Sequence, residues 1–337
     1  MFEAAEVGRT LEKKEFKRLE SEVHWQFLQL QHKLRQSNKS LIVIVSGVEG
    51  AGKGEVVDRL NRWFDSRDVR THAYWEETDE EKQRPRFWRF WRDLPFRGTV
   101  SVMFGSWYTK PLIDAAFSEI SESKLDQELT RINQLEQTLD GDGAIIVKFW
   151  FHLSQEVQLE RLEQDVKVSK FKKSPLLEEF AKNYLNFVNV SEHALRQTDT
   201  GIAPWQIIEA TDSCYRDITV GQTIINRLEA ALEPKNDSAG KELSITEAED
   251  SLVIAASTKL TVLDAVDLSA RLSDQEYDHE INKAQRKLHD LAWQMHAQKR
   301  NAVLVFEGWD AAGKGSAIRR LTAAIDARLY RVIPIAA

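Results

Sequence analysis

The chain has 337 residues, of which 42% are hydrophobic and 29% are charged, and its net charge is −7. This length suits about two domains, and the composition is that of a soluble protein. The negative charge gives no general attraction to nucleic acid or acidic membranes, and no apolar stretch approaches the ~18 residues of a membrane span. A single cysteine, Cys214, excludes an internal disulfide, and the N-terminus lacks a secretory signal pattern, so we expect a cytoplasmic protein.

The predicted elements alternate between helices and strands. Apolar residues at helical spacing predict a helix over 11–36, and the apolar run 41–45 predicts a buried strand. A glycine-rich turn follows, and then, in chain order, we predict a helix at 53–66, a strand at 70–75, a helix at 79–92, a strand at 99–104, a long helix at 112–139, a strand at 143–150, helices at 154–165 and 176–197, a strand at 205–209 and a closing helix at 218–232. This alternation predicts an α/β fold, a parallel sheet covered by helices.

The opening of this pattern recurs near the end of the chain. A second amphipathic helix is predicted over 274–300, and the apolar run 302–306 is predicted as a buried strand before a second glycine-rich turn. We therefore predict a first unit at 1–232, a polar linker at 233–250 and the start of a second unit at 251–337. The duplicated fold is incomplete in its second copy, and we interpret the chain as a fragment of a longer protein.

Both glycine-rich turns have the layout of a phosphate-binding loop. A buried strand, a turn with glycines and lysine, and a helix together surround phosphate oxygens with backbone N–H groups. The candidate phosphate-binding residues are Gly47, Gly52, Lys53 and Gly54 in the first loop and Gly308, Gly313, Lys314 and Gly315 in the second. Because Gly54 and Gly315 stand where a Ser or Thr usually binds Mg²⁺, a loop carboxylate is the candidate metal ligand, Glu49 or Asp310.

Three arginines form a further candidate phosphate site. Arg86, Arg89 and Arg92 are spaced three residues apart, so consecutive members would be neighbours on the surface of a helix. Guanidinium groups pair well with phosphate oxygens, and the row therefore predicts an anionic ligand. An amphipathic helix with solvated arginines is the alternative interpretation.

Two other segments bear on activity. The basic segment 167–175 lies where phosphoryl-transfer enzymes of this topology place a mobile lid, although a solvated loop fits the charges equally well. The strand at 99–104 ends in Phe104, where this kind of fold usually has an aspartate that helps to hold Mg²⁺. We therefore expect the first unit to be inactive or nearly so.

These motifs, in this order, resemble the family-2 polyphosphate kinases and especially their two-unit members. The resemblance rests on the segments 79–82, 87–92, 106–108, 203–205 and 306–315. It implies a P-loop kinase fold with a helical lid. It also implies Mg²⁺-dependent transfer of a phosphoryl group between inorganic polyphosphate and a nucleotide, with AMP as the typical acceptor and ADP as the product.

The resemblance also assigns roles to residues. Asp310 would help to hold Mg²⁺ and orient the acceptor phosphate, and Lys314 would steady phosphate oxygens during transfer, so these two are the predicted catalytic residues. In the first unit, Glu49 replaces the loop aspartate, and Phe104 with Gly105 replaces the Asp-Arg pair of the family.

Other functions stay open at this point. The first unit could be a non-catalytic, polyphosphate-binding scaffold that uses the arginine row and the lysines at 167–173. An ATP-dependent nucleotide kinase is a second alternative, and a polyphosphate kinase that acts on ADP or GDP is a third. The expected partners are polyphosphate and a nucleotide, with no nucleic acid and no membrane, and the sequence is compatible with a homo-oligomer.

Overall fold

A five-stranded parallel sheet forms the centre of the molecule, with the strand order β2-β3-β1-β4-β5. The computed structural model describes residues 1–74, 76–168, 180, 182–233, 272–308 and 312–333. The strands are β1 Ser40–Gly47, β2 Val69–Ala73, β3 Val100–Phe104, β4 Ala144–His152 and β5 Trp205–Glu209. The predicted α/β class with a parallel sheet is confirmed.

Helices precede, connect and follow the strands within residues 1–232, and two further helices lie after residue 272. They are α1 Lys13–Arg35, α2 Lys53–Trp63, α3 Asp79–Lys82, α4 Trp88–Arg92, α5 Thr109–Ala116, α6 Glu122–Gly141, α7 Gln155–Val168, α8 Tyr184–Thr198, α9 Ser213–Leu232, α10 Asp274–Ala297 and α11 Lys314–Thr322. Every residue of β4 is buried, and β1 is buried up to its last residue. Strands covered on both faces explain why these two sequences are almost continuously apolar. No helix in the described ranges is both long enough and apolar enough to cross a membrane.

The predicted helix over 79–92 is wrong as a single element, because the chain forms the short helices α3 and α4 there. Pro85 lies between them, and proline lacks a backbone N–H and disfavours helical geometry in the residue before it. Phe87 then takes a left-handed conformation, with φ at 66°, at the start of α4. Arg86 therefore lies before α4, and the three arginines do not share one helix.

Two other helix boundaries differ from the prediction for reasons of capping. The predicted helix over 112–139 is interrupted between α5 and α6, where the Ser121 hydroxyl accepts a hydrogen bond from the Lys124 N–H at 3.3 Å. Helix α9 begins five residues earlier than predicted, because the Asp212 carboxylate accepts from the Tyr215 N–H at 2.7 Å. Both side chains satisfy N–H groups that have no partner within the helix.

The predicted strand over 302–306 is not formed. These residues have no regular secondary structure, and Val303 is 87% exposed. A parallel strand needs a neighbouring strand for its N–H and C=O groups, and no strand in the described part of the chain pairs with this run. Most of the predicted basic segment 167–175, from residue 169 onward, lies outside the described residues.

The N-terminal strap, residues 1–11, was not predicted from the sequence. It crosses the carboxyl ends of β4 and β5. The Phe2 ring stacks on the His152 ring with centroids 4.6 Å apart, and a Glu6 carboxylate oxygen lies 2.7 Å from His152 Nε2. The backbone N–H groups of Gly8 and Arg9 donate to the carboxylate of Glu209 at 2.5 and 3.0 Å. The strap therefore buries the side chains of His152 and Glu209 at the carboxyl ends of β4 and β5.

Stability should depend on pH because of this burial. Burial lowers the pKa of His152 below its ordinary value of 6.5, although Glu6 acts in the opposite direction, and burial lowers the pKa of His72 as well. Below pH 6.5 the unfolded chain therefore binds protons that the folded chain does not bind. We expect the contribution of these two histidines to the free energy of unfolding to be constant above this pH and to fall as the pH drops toward their folded-state pKa values. Asp58, whose pKa burial raises to about 7, contributes a change of the opposite sign over the same range. Urea unfolding from about pH 8 to pH 5 measures this dependence.

The stability of His152→Gln relative to the parent should rise as the pH drops below 6.5, because the variant lacks one of the groups that destabilise the fold at low pH. The exposed histidine His32 offers a matched control, and His32→Gln should keep the parental profile. An unchanged slope in His152→Gln would contradict the assignment.

A buried ion pair joins β4 to the helices on one face of the sheet. Lys148 and Glu136 are both fully buried, and the Lys148 ammonium donates to the Glu136 carboxylate at 2.8 Å. It also donates to the Tyr108 hydroxyl at 3.0 Å and to the Thr198 carbonyl at 2.8 Å. Burial lowers the pKa of Lys148, although the Glu136 carboxylate opposes this shift.

Aromatic residues from the segments 106–108 and 203–205 surround this ion pair. The Trp107 indole N–H and the Tyr108 hydroxyl donate to one oxygen of Glu136 at 3.1 and 2.7 Å. The Trp205 ring lies 4.9 Å from the Lys148 ammonium. The motifs at 106–108 and 203–205 therefore form a cage around a buried charge, which is a structural role.

Candidate functional site

The first glycine-rich loop connects β1 to α2 at the carboxyl edge of the sheet. Gly47 and Gly52 have φ angles of 144° and 73°, which residues with a side chain rarely adopt. A Cβ atom on Gly47 would also overlap the backbone of Phe151 in β4. The close approach of the loop to β4 therefore requires glycine at position 47.

Gly47→Ala should lower the free energy of unfolding by about 2–4 kcal/mol, because strain in the loop adds to a clash with main-chain atoms. Gly54→Ala, in the first turn of α2, is the matched control. A Cβ atom there meets only the Phe104 ring, at 3.9 Å, and alanine is favoured over glycine inside helices by about 1 kcal/mol. Urea denaturation of both variants measures the difference, and equal stabilities would contradict this account.

Lys53 folds back onto its own loop. Its ammonium donates to the Gly47 carbonyl at 3.0 Å, the Val48 carbonyl at 2.9 Å and the Glu49 carboxylate at 2.9 Å. These three acceptors match the three N–H groups of a lysine ammonium. Burial alone would raise the pKa of Glu49, but the Lys53 ammonium and, to a smaller extent, Arg328 hold it below its ordinary value.

The second loop has the same backbone conformation wherever it is described. Gly308 and Gly313 have φ angles of 149° and 81°, close to the values for Gly47 and Gly52. The Lys314 ammonium donates to the Gly308 carbonyl at 2.7 Å, as Lys53 does to Gly47. The two copies therefore share the conformation of these two glycines and the contact of the lysine with the first glycine, while residues 309–311 lie outside the described residues.

Of the two remaining residues predicted in the second loop, Gly315 is among the described residues and Asp310 is not. Gly315 follows Lys314 as the second residue of α11. Asp310, the predicted metal ligand and catalytic residue, lies outside the described residues.

A cavity of about 620 Å³ opens beside the first loop. Arg161 of α7 and Arg216 of α9 lie in its wall and hold the loop, because they donate to the Gly50 carbonyl at 2.9 Å and to the Ala51 carbonyl at 3.5 Å. Sequence reasoning missed both arginines, since 111 and 165 residues separate them from their partners and no local pattern marks them.

The segment 323–328 forms another wall of this cavity. The Arg328 guanidinium lies over the Phe104 ring, 5.4 Å from its centroid, and is paired with Asp326 at 2.6 Å. Nearby, the Asn61 amide donates to the Tyr330 hydroxyl at 3.4 Å. Residues after the predicted linker therefore contact the end of β3 in the first unit.

The side chains around the first loop do not fit a Mg²⁺ ion. Phe104 presents a ring where a carboxylate would be needed, and the Glu49 carboxylate is paired with Lys53. Of the other acidic residues in the wall, Glu55 is paired with Arg216 and Asp326 with Arg328, and burial raises the pKa of Asp58 to about 7. Mg²⁺ requires near-octahedral oxygen ligands, and the described ranges contain no group of three acidic, histidine or cysteine side chains that could hold a metal.

Each arginine of the predicted row is paired with a carboxylate of the chain itself. Arg86 contacts Glu128, while Arg89 and Arg92 lie 3.6 and 3.7 Å from Glu81. None of these three arginines lines the cavity beside the first loop. The structure does not bring the row and the loop together, so phosphate binding by the row stays a prediction.

The fold and the loops define a class of protein. A glycine-rich loop with a lysine follows the central strand of a parallel sheet, and the same glycine φ angles recur later in the chain. This is the architecture of P-loop proteins that bind and transfer phosphoryl groups.

Within this class, the chain belongs to the polyphosphate kinase 2 family. The family model described as "Polyphosphate kinase 2 (PPK2)" matches residues 10–237 and 271–337. The matched ranges include both glycine-rich loops, so the duplication lies within the family pattern.

Similar proteins are known in several bacteria. The polyphosphate:AMP phosphotransferase of Pseudomonas aeruginosa is 38% identical over 341 residues, which are 100% of this chain and 67% of that protein. The protein of the same name from Pseudomonas syringae pv. tomato is 37% identical over 340 residues, with the same coverage. The chain thus spans about two thirds of the length of these relatives.

Solved structures agree with the family assignment. A crystal structure of a polyphosphate kinase 2 from Pseudomonas aeruginosa PA01 matches with a TM-score of 0.63 and 36% identity, over 100% of this chain and 65% of that chain. The polyphosphate kinase 2 from Arthrobacter aurescens TC1 matches with a TM-score of 0.64 and 27% identity, over 70% of this chain and 86% of that chain.

Proposed function

We propose that the protein transfers a phosphoryl group from inorganic polyphosphate to AMP and so produces ADP. An oxygen of the AMP phosphate forms the new P–O bond, and the bond to the rest of the polyphosphate breaks, so that the chain leaves one phosphate shorter. Such in-line transfer depends on positioning and charge neutralisation. The similarity to two polyphosphate:AMP phosphotransferases along the whole chain supports AMP as the acceptor.

The observation that carries the proposal is the conformation of Gly308 and Gly313 together with the contact of Lys314 with the Gly308 carbonyl. These glycine φ angles and this lysine contact reproduce those of a complete phosphate-binding loop, although the preceding run 302–306 forms no strand. We assign the chemistry to Asp310 and Lys314 of this loop. A Mg²⁺ ion held by Asp310 would neutralise charge on phosphate oxygens when bound.

We assign a non-catalytic role to the first unit, residues 1–232, which the linker 233–250 would join to the second unit, 251–337. Phe104 at the end of β3 and the pairing of Glu49 with Lys53 support this division. In this proposal the first unit supports the second through contacts such as that of Arg328 with Phe104.

The proposal also covers partners and location. Polyphosphate and a nucleotide are the ligands, and neither nucleic acid nor a membrane is a partner, which agrees with the net charge of −7. A single cysteine agrees with the reducing cytoplasm.

The experiment follows nucleotides by chromatography after the protein, expressed from its whole reading frame, is mixed with polyphosphate, Mg²⁺ and AMP. We expect ADP to form only when polyphosphate is present. Equal ADP formation with ATP in place of polyphosphate would contradict the proposal and favour an ATP-dependent nucleotide kinase. Faster turnover of ADP or GDP than of AMP would instead match relatives named ADP- and GDP-polyphosphate phosphotransferases.

A further inference from the structure

We propose that the Glu49 carboxylate occupies the Lys53 ammonium, to which a phosphate would otherwise bind, and so prevents the first loop from binding a polyphosphate chain. The inference rests on the proposed function, in which the second loop binds polyphosphate. It adds a residue that determines which of two loops with the same backbone is available to the substrate.

The first argument is the position of the lysine. The Lys53 side chain is 11% exposed, and a Glu49 oxygen lies 2.9 Å from its nitrogen. The Gly47 and Val48 carbonyls take the other two N–H groups of the ammonium. A phosphate oxygen could bind this ammonium only by displacing one of these acceptors, and the Glu49 carboxylate is the acceptor that carries charge.

The second argument concerns the charge of the loop. Backbone N–H groups at the start of α2 and the lysine favour one anion at this point, and the Glu49 carboxylate already supplies it. A polyphosphate chain would bring several negative charges next to that carboxylate, and like charges in contact oppose binding. The cavity itself has room for a short phosphate chain, and Arg161 and Arg216 lie in its wall.

The third argument explains why a loop carboxylate could help in one copy and hinder in the other. A carboxylate supports phosphate binding when a metal ion lies between the two anions. At the first loop Phe104 takes the place of the second carboxylate such a metal would need, and its ring lies 3.9 Å from the Cβ position of Gly54. Without a bridging metal, the Glu49 carboxylate only repels the ligand and occupies the lysine.

The fourth argument is side-chain length. Glu49 and Asp310 precede their lysines by four residues, and the glutamate is one methylene longer. In the first loop this length carries the carboxylate to the ammonium. An aspartate at position 49 would hold its carboxylate one methylene closer to the main chain, so the length of Glu49 favours its contact with Lys53.

The test measures binding of tripolyphosphate by isothermal titration calorimetry. All variants carry Lys314→Ala, which removes the lysine proposed to bind phosphate in the second loop. Glu49→Gln keeps the shape of the side chain and removes its charge. We expect it to bind tripolyphosphate at least about tenfold more tightly than the Lys314→Ala parent, because charge-assisted pairing shifts from glutamate to phosphate.

Two controls make the result specific. Adding Lys53→Ala to Glu49→Gln should abolish the gain, since the freed ammonium is the proposed phosphate partner. If Glu49→Gln does not fold, as judged by its thermal unfolding, Glu49→Ala is the second variant and should show the same gain.

Equal affinities of a folded Glu49→Gln variant and its parent would overturn the inference, and so would a gain that persists without Lys53. This failure differs from a failure of the proposed function. ADP formation by the protein with Lys314 intact does not depend on whether the first loop can be opened to phosphate.

Discussion

Lys314→Ala should lower the rate of ADP formation from polyphosphate and AMP by about a hundredfold or more, whereas Lys53→Ala should change it by less than about threefold. Lys314 is the only one of these two lysines whose loop carries the aspartate predicted to hold a metal. Its ammonium would meet the charge that develops on phosphate oxygens during transfer. Initial rates at saturating AMP and polyphosphate, followed by nucleotide chromatography, measure both effects.

The two lysines serve as controls for each other. They occupy the same position in loops with matching glycine φ angles, and both donate to the carbonyl of the first loop glycine. General damage to a loop should therefore affect both variants alike. Equal losses of rate would show that the first loop takes part in the chemistry, and the division of roles between the units would then be wrong.

Lys148→Met should lower the free energy of unfolding by about 3–5 kcal/mol, because it leaves the Glu136 carboxylate buried without its cation. Lys148 has no exposed side-chain surface, and the other groups that contact Glu136 are neutral donors from Trp107 and Tyr108. Chemical denaturation of the chain, monitored by tryptophan fluorescence, measures the loss.

A double variant separates the ion pair from simple loss of packing. Lys148→Met combined with Glu136→Leu replaces both charges by apolar groups, and such replacements of a buried pair are often close to neutral. We therefore expect the double variant to recover most of the stability lost in Lys148→Met. If the double variant lost as much stability as Lys148→Met and Glu136→Leu lose together as single variants, this explanation would be wrong.

An exposed ion pair provides the control for the charge change alone. Lys110 pairs with Asp114, four residues later in α5, at 2.9 Å, but 64% of the lysine side chain is exposed. Lys110→Met should change the stability by less than about 1 kcal/mol, because water screens the pair. If Lys110→Met lowered the free energy of unfolding as much as Lys148→Met does, burial of the ion pair could not be the cause of the loss in Lys148→Met.

The first loop keeps the main-chain shape expected of a phosphate-binding loop but differs in the side chains proposed to hold a metal. The main-chain conformation depends on the glycines and on the approach of β4, and both are retained in the first loop. Metal binding depends on side chains, and these differ at Glu49 and Phe104. The shape of the loop and its capacity to hold a metal thus depend on different residues, and one of these, Phe104, lies outside the loop at the end of β3.

The sequence alone determined the parallel α/β sheet and the position of both loops. An apolar run, a pair of glycines, a lysine and a helix lie within one short segment, so local spacing is enough to identify each loop. The unusual residues at 49, 54 and 104 were also visible without a structure, because each departs from a pattern defined by neighbouring positions.

Only the tertiary structure decided which distant groups meet. Arg216 contacts the loop across 165 residues, and the N-terminal strap reaches Glu209 across about 200 residues. The groups around Lys148 of β4 come from residues 107–108, Glu136, Thr198 and Trp205. The pairing of Glu49 with Lys53 likewise needed side-chain geometry. Local periodicity records which face of an element is apolar, but contacts between distant residues depend on strand order and packing, which no local pattern encodes.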